Sequence, residues 1–415
     1  MAVDFPLMQS IGLLRDVLKR SPVAFLIGAG CPASISQEGK PLIPTVQGLT
    51  DLVVSSVRKN REKLVETILD RSKTAKDDDP NIEAILSYVR TLSSILRDGD
   101  IEGVTREGLS GLEKDMCQLI TAAATVTLPA DTAYHRLAAW TLAASGQIRV
   151  EFFTTNYDLL LEQALEFFKV PYFDGFVGSS EPFFDLAAIE NDKLPDRWSK
   201  LWKLHGSINW HQEKGRSFRT SLGEPTSNLL IFPSHLKYDE SRRLPYVAMA
   251  DRLLAFLRQD KATLISCGFS YADEHLNDLI GSGLRANGTA SLFALMFGAF
   301  EEQSLISRFA KSNPSVSAYY TDGAIIGGLS GQWNAFSIAR EAPRASLIRW
   351  VGDSVEFSGG DFGIFADFLG EMVNYRRFEL AAVDSQREMQ QPRGLVEEPS
   401  DSKSLPKGTS LESDQ

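Results

Sequence analysis

The chain has 415 residues, enough for one large domain with an insertion or for two domains with separate cores. Hydrophobic residues make up 43% and charged residues 23%, which excludes a fibrous or wholly disordered chain. The formal charge of −11 supplies no overall attraction to phosphate backbones, so direct nucleic-acid binding is not expected. At the N-terminus, MAVDFPLMQSIGLLRDVLKR spaces its apolar residues as a helix does, near residues 8–19. It lacks the apolar run of a signal peptide or membrane span, so a cytoplasmic protein without membrane contact is expected.

Val23–Ile27 is a short apolar run that ends in Gly28-Ala29-Gly30, as a buried strand meeting a tight turn does. From Val46 to Leu128 the apolar spacing is mostly helical, broken by the polar stretch Ser72–Pro80, and predicts a helical insertion over about 46–130. A helix follows around Tyr134–Ala144. Strands are then predicted at Val150–Thr154, Leu201–Leu204, Asn228–Phe232, Thr263–Cys267 and Ser291–Phe297. Helices at Asp158–Phe168, Tyr246–Arg258 and Glu274–Gly281 alternate with them, which predicts an α/β fold, a Rossmann-like mostly parallel sheet flanked by helices. The residues about 299–383 read as a C-terminal extension, with helices at Glu301–Lys311 and Phe362–Asn374 and an extended Ser315–Tyr320. Domain 1–383 then ends in a Pro-, Ser- and charge-rich tail, 384–415, too poor in large apolar residues to offset chain entropy.

Four segments carry chemistry. In VAFLIGAGCPASIS, glycines at the strand end let backbone approach a pyrophosphate, whose charge suits free N–H groups at a helix start; a plain strand-ending turn fits as well. In EFFTTNYDLLLEQALEFF, Thr154, Thr155, Asn156 and Asp158 sit at a strand-to-helix junction, where open α/β sheets gather ligands and where helix caps also belong. In LWKLHGSINW, His205 follows a strand, and imidazole is the side chain best suited to proton transfer near neutral pH, although a lone histidine also packs. In ATLISCGFSYADEHLNDLI, Gly268 permits close approach and Ser270 offers a hydroxyl, while Ser270 or Asp273 would equally cap the next helix.

Taken in order, GAG, TTNYD, KLHGS and GFSYADEHL resemble the sirtuin-like family over about residues 20–300, and its bacterial NAD-hydrolysing branch more than the protein deacylases. The resemblance implies an NAD site with Gly28, Ala29 and Gly30 near the diphosphate, and with Thr155, Asp158, Gly268 and Ser270 lining the nucleotide. It implies that Asn156 orients the nicotinamide ribose or a water and that His205 is the catalytic histidine. Deacylases carry two CxxC zinc pairs after that histidine, whereas here the only later cysteine is Cys267, and Cys31 and Cys117 lie far from it. No zinc, other metal or cofactor beyond NAD as substrate is expected. The Ile43-Pro44-Thr45 stretch stands where deacylases carry Asp-Phe-Arg, which also points away from acyl-lysine removal.

Cleaving the nicotinamide–ribose bond builds positive charge on the sugar while nicotinamide leaves neutral, so the site must orient ribose, stabilise that charge and deliver water. Asn156 is assigned to orientation. His205, expected to be neutral near physiological pH, would take a proton from a ribose hydroxyl or water. The resulting expectation is an NAD hydrolase yielding nicotinamide and ADP-ribose, by resemblance an antiphage effector. Such an activity requires restraint, so a homo-oligomer and a HerA-type ATPase partner are implied by the family. A non-catalytic NAD or ADP-ribose sensor and a nuclease subunit are the alternatives.

Overall fold

A computed structural model describes residues 3–20, 22–73, 80–96, 100–101, 103–213, 216–220, 229–231, 244–335 and 347–376. The expected tail, 384–415, and most of the polar stretch 72–80 lie outside the described residues.

One sheet organises the chain. Its strands are β1 (Val3–Pro6), β2 (Val23–Ile27), β3 (Val150–Thr154), β4 (Tyr172–Phe173), β5 (Ser199–Lys203), β6 (Thr263–Cys267), β7 (Ser291–Leu295), β8 (Val316–Tyr319), β9 (Gly323–Ile326) and β10 (Leu329–Asn334). Their spatial order is β1-β10-β9-β8-β7-β6-β2-β3-β5-β4. All pairings are parallel except those of β9 with its two neighbours. The predicted α/β class with a mostly parallel sheet is therefore observed.

The central strands read as unbroken apolar runs because both their faces are covered. Phe25, Ile27, Phe152, Ile265 and Cys267 enter one core, and Ala24, Leu26, Phe153 and Leu264 enter the other. The first core is closed by α1 (Leu7–Arg20), α5 (Ala133–Ala144), α6 (Leu160–Phe167) and α10 (Phe362–Val373); the second by α7 (Tyr246–Leu257), α8 (Glu274–Ala286) and α9 (Leu305–Ser312). Between α1 and α5 the chain builds a helical layer of α2 (Val46–Ser72), α3 (Ile82–Ile95) and α4 (Arg106–Ala124), whose own core includes Val53, Ile85, Leu86 and Met116. Leu159 and Ile208 of the sheet body complete that core, which ties the layer to the loops after β3 and β5.

Two differences from the sequence reading have physical causes. The segment predicted as a sheet strand near 228–232 is Leu229–Ile231, and it pairs with Gly206–Glu213 in a separate five-stranded antiparallel sheet. The strands β9 and β10 were unforeseen because the glycines of GAIIGGLSGQWN interrupt the apolar alternation of a strand. Gly327 and Gly328 have φ of 60° and 81°, the left-handed pair that a two-residue hairpin turn requires. Cys31, Cys117 and Cys267 are unpaired and buried. No described helix is long and apolar enough to cross a membrane.

The C-terminal extension completes the body. On α10, Phe365 is fully buried and its ring lies 6.4 Å from Phe25 on β2. Phe365→Ala is expected to cost about 3–5 kcal/mol, read as a lower urea midpoint; an unchanged midpoint would show that α10 is dispensable to the core.

Candidate active site

The register brings Ile27, Thr154, Lys203, Cys267 and Leu295 to one level edge, so the residues that follow β2, β3, β5, β6 and β7 share one rim. The chain order reverses between β2 and β6, since β3 and β5 lie to one side of β2 and β6 to the other. Open α/β sheets form their ligand crevice at such a point.

A cavity of about 440 Å³ opens there, within the range of small-molecule sites. From the β2 and β6 turns it is lined by Ala29, Gly30, Gly268 and Ser270, and from the β3 and β5 ends by Thr155, Asn156, Asp158 and His205. Gly28 lies behind the wall. Its amide donates to the Cys267 carbonyl at 2.9 Å, and its own carbonyl accepts from Asn156 Nδ2 at 3.0 Å.

That last bond fixes Asn156. A backbone carbonyl only accepts, so the amide nitrogen must face Gly28, which leaves Oδ1 as an acceptor. The backbone N–H of Asn156 donates to Thr154 Oγ1 at 3.0 Å, and Thr154 in turn donates to the Ile27 carbonyl at 2.9 Å. Thr155 joins the same edge through its N–H to Ile27 at 3.3 Å.

Asp158 works first as a structural group. Its Oδ1 accepts from the Leu160 N–H at 3.0 Å at the start of α6, and its carbonyl accepts from Lys203 Nζ. Burial pushes its carboxyl above the ordinary carboxylate range, and the nearby Lys203 ammonium opposes that. Lys203 is 1% exposed and also pairs with Glu162 at 3.0 Å.

His205 has a partner that the sequence reading knew only as a cap. Its Nε2 lies 3.2 Å from Asp273 Oδ2, while Asp273 Oδ1 accepts from the Leu276 N–H at 3.1 Å and caps α8. A carboxylate only accepts, so the neutral ring carries its proton on Nε2 and presents Nδ1 as the basic nitrogen. Nδ1 is buried with no hydrogen-bond partner among the described residues. Burial pulls the imidazole pKa down, but the Asp273 hydrogen bond, the Glu83 charge and the Asp273 charge outweigh it, so the pKa is raised. Asp273 and Glu83 thus shift the imidazole upward from its ordinary value. For Asp273 burial pushes up, yet the His205 bond prevails and the carboxyl lies below its usual value.

The turn amides are less free than the strand-turn reading supposed. Those of Gly30 and Cys31 donate to the carbonyls of Gly268 and Gly28, at 2.9 and 3.0 Å. Ser270 is exposed at the rim, its Oγ accepting from the Ala272 N–H at 3.4 Å.

The helical layer supplies a wall that sequence reasoning did not foresee. Ile43, Pro44 and Thr45, noted before only as a family variant, line the cavity with Asn81, Glu83 and residues of α4. Three N-cap residues therefore meet there. Thr45 caps α2 at Gly48, Asn81 caps α3 at Glu83 and Ala84, and Asp273 caps α8. The N-terminal ends of three helices thus meet at a cavity whose lining, among the described residues, includes Glu83, Asp158 and Asp273 but no Lys or Arg. Phe297, after β7, stands 81% exposed at the same cavity. No three His, Cys, Asp or Glu side chains gather as a metal site among the described residues.

Residues 150–315 match the family model of the SIR2-like domain, a stretch that holds Thr155, Asn156, Asp158, His205, Gly268 and Ser270 but neither the Gly28–Gly30 turn nor the helical layer. No curated protein shows significant similarity to the chain. Among solved structures, a Sir2 homologue–NAD complex is 17% identical, with 70% of this chain and 83% of that one covered at a TM-score of 0.32. A structure described as the basis for the mechanism and regulation of Sir2 enzymes is 12% identical, over 72% and 87%, at a TM-score of 0.35. A Sir2–p53 peptide–NAD complex is 15% identical, over 70% and 87%, at a TM-score of 0.31.

Proposed function

We propose that this cavity binds NAD and hydrolyses its nicotinamide–ribose bond, giving nicotinamide, ADP-ribose and a proton. The observation that carries the reading is the convergence of Asn156, held by Gly28, with His205, held by Asp273, at the switch point of the sheet. The SIR2-like match over 150–315 supports an NAD-dependent activity in general.

Each side chain has a task that its geometry suits. Asn156 Oδ1 accepts a hydrogen bond from a ribose hydroxyl or from the attacking water and so fixes its direction. His205 Nδ1 takes the proton released as water adds, and Asp273 stabilises the imidazolium that results. The carboxylates that line the cavity stabilise the cationic ribosyl group. The diphosphate is drawn to the helix N-termini capped by the uncharged Thr45 and Asn81 rather than to cationic side chains.

Incubating the purified protein with NAD and quantifying both products tests the reading. Equal release of nicotinamide and ADP-ribose is expected; NAD binding by calorimetry without any nicotinamide would establish the sensor alternative instead. Since an unrestrained hydrolase drains its host, the reading includes restraint in a homo-oligomer or with a HerA-type ATPase, and antiphage defence in the cytoplasm, all from the family resemblance. Repeating the assay with such an ATPase added tests that part, with a change in rate as the expected result.

Asp273→Asn is expected to lower kcat/KM by about 10²–10⁴-fold, because an amide can donate to Nε2 and so drive the ring proton onto the nitrogen needed as base. The loss of charge also lowers the His205 pKa, which moves the acid limb of any residual activity to lower pH. Full activity in this variant would remove Asp273 from the mechanism.

A further inference from the structure

Glu83 belongs to the helical layer, more than a hundred residues from His205 in the chain, and the motifs at the strand ends do not mention it. It is the second residue of α3, after the cap Asn81, where the helix dipole favours an ionised carboxylate. It lines the same cavity as Asn156, His205 and Asp273. One of its oxygens is fixed, since the Tyr157 hydroxyl donates to Oε1 at 2.9 Å. Burial first, then the charge of Glu83, hold the Tyr157 phenol well above its ordinary pKa, so it remains a donor. Tyr157 itself follows Asn156, and its backbone carbonyl accepts from the Ile208 N–H at 3.0 Å, just beyond His205. The hydrogen bond from Tyr157 to Glu83 therefore ties the helical layer to both proposed catalytic loops.

We propose that Glu83 is a positioning residue for His205, a carboxylate delivered by the helical layer and fixed by Tyr157, which serves with Asp273 as a negative partner of the imidazolium formed when His205 takes up a proton. The role in turnover rests on the NAD-cleavage reading; the effect on the imidazole does not. The other titratable groups that line the cavity beside this ring are Asp273 at the start of α8, on which His275 acts, and Tyr157 and Asp158 after β3. Among them the Glu83 charge acts directly to raise the His205 pKa, in the same direction as Asp273. A site with both carboxylates holds its proton to higher pH and stabilises the charged ring in the transition state. Completion of the site would then depend on the helical layer being seated on the sheet body, which gives a partner bound to that layer a way to act on the chemistry.

Glu83→Gln keeps an acceptor for Tyr157 and removes only the charge. The ring proton of His205, assigned by its disappearance in His205→Gln, is followed by NMR across pH in the full-length protein. In Glu83→Gln the His205 titration is expected to move to lower pH, while Glu83→Asp, which keeps the charge, stays nearer to wild type. The acid limb of kcat/KM should move the same way, and its plateau should fall by on the order of tenfold, less than the loss of a proton-transfer group itself costs. Unfolding midpoints close to wild type separate this from a purely structural role. An unmoved His205 titration overturns the proposal whether or not the protein cleaves NAD. A shifted titration in a protein that releases no nicotinamide upholds the link between Glu83 and His205 and overturns the hydrolase reading alone.

Discussion

His205→Ala is expected to abolish NAD cleavage and leave the protein folded, and Asn156→Ala is expected to do nearly the same. Loss of a positioned base costs about 10²–10⁴ in rate, and loss of an orienting acceptor adds a comparable term by releasing the reacting groups from alignment. Folding should survive because neither side chain holds an element together. Asp273 still caps α8 through its other oxygen when the imidazole is gone, and Gly28 keeps its amide bond to Cys267 when Asn156 is truncated. Nicotinamide release under single-turnover conditions gives the rate, and circular dichroism with a melting curve gives the fold. Wild-type turnover in either variant would remove that residue from the mechanism.

The same pair predicts how stability varies with pH. The folded-state pKa of His205 is raised, so its contribution is fully present below the unfolded pKa and is lost as pH rises through the folded value. Asp273 is depressed, so its contribution is present above the unfolded carboxylate pKa and is lost as pH falls through the folded value. Stability from the pair is thus greatest between the two, and in His205→Ala the melting temperature should lose the decline on the alkaline side of the imidazole range.

How legible the molecule was depended on how far apart in the chain the relevant groups lie. Val23–Ile27, Val150–Thr154 and Thr263–Cys267 have the bounds that the sequence predicts, since strands covered on both faces leave an uninterrupted apolar signature. Asn156, His205, Gly268 and Ser270 were singled out because each sits within three residues of the end of a strand. The reading could not show that Asp273 does two jobs, because a capping aspartate and a histidine partner have the same local pattern. Nor could it place Glu83, whose helix has its own periodicity and no local sign that its first turn reaches across to the sheet. The segment from Gly323 to Asn334 failed differently, its glycines hiding a hairpin that the long sheet completes.

The glycines of the site also mean something other than the strand-turn pattern implied. A side chain at Gly30 was expected to obstruct a pyrophosphate, but a Cβ there would first meet the Cα of Gly268 at 2.8 Å. One at Gly28 would stand 2.3 Å from the Gly268 carbonyl oxygen, and one at Gly268 only 2.5 Å from the backbone nitrogen of Cys31. The β2 and β6 turns are therefore packed backbone to backbone, with the Gly30 amide donating to the Gly268 carbonyl across the contact. Gly268 carries a second requirement, a φ of 61° that side chains resist. Gly268→Ala combines overpacking against an immovable backbone with that conformational cost, about 2–4 kcal/mol together, a large share of the ~5–15 kcal/mol that holds a domain folded. Gly288→Ala is the control, because a Cβ there meets nothing within 4 Å, and its change should stay within about 0.5 kcal/mol. Urea unfolding of the two variants beside wild type measures the difference, and calorimetry with NAD under conditions where Gly268→Ala remains folded separates binding from stability. If Gly268→Ala unfolded with the wild-type midpoint yet bound NAD poorly, the glycine would serve the ligand and the close packing of the two turns would be wrong; a lowered midpoint establishes that the turns are built first for each other, with the cavity formed where they meet.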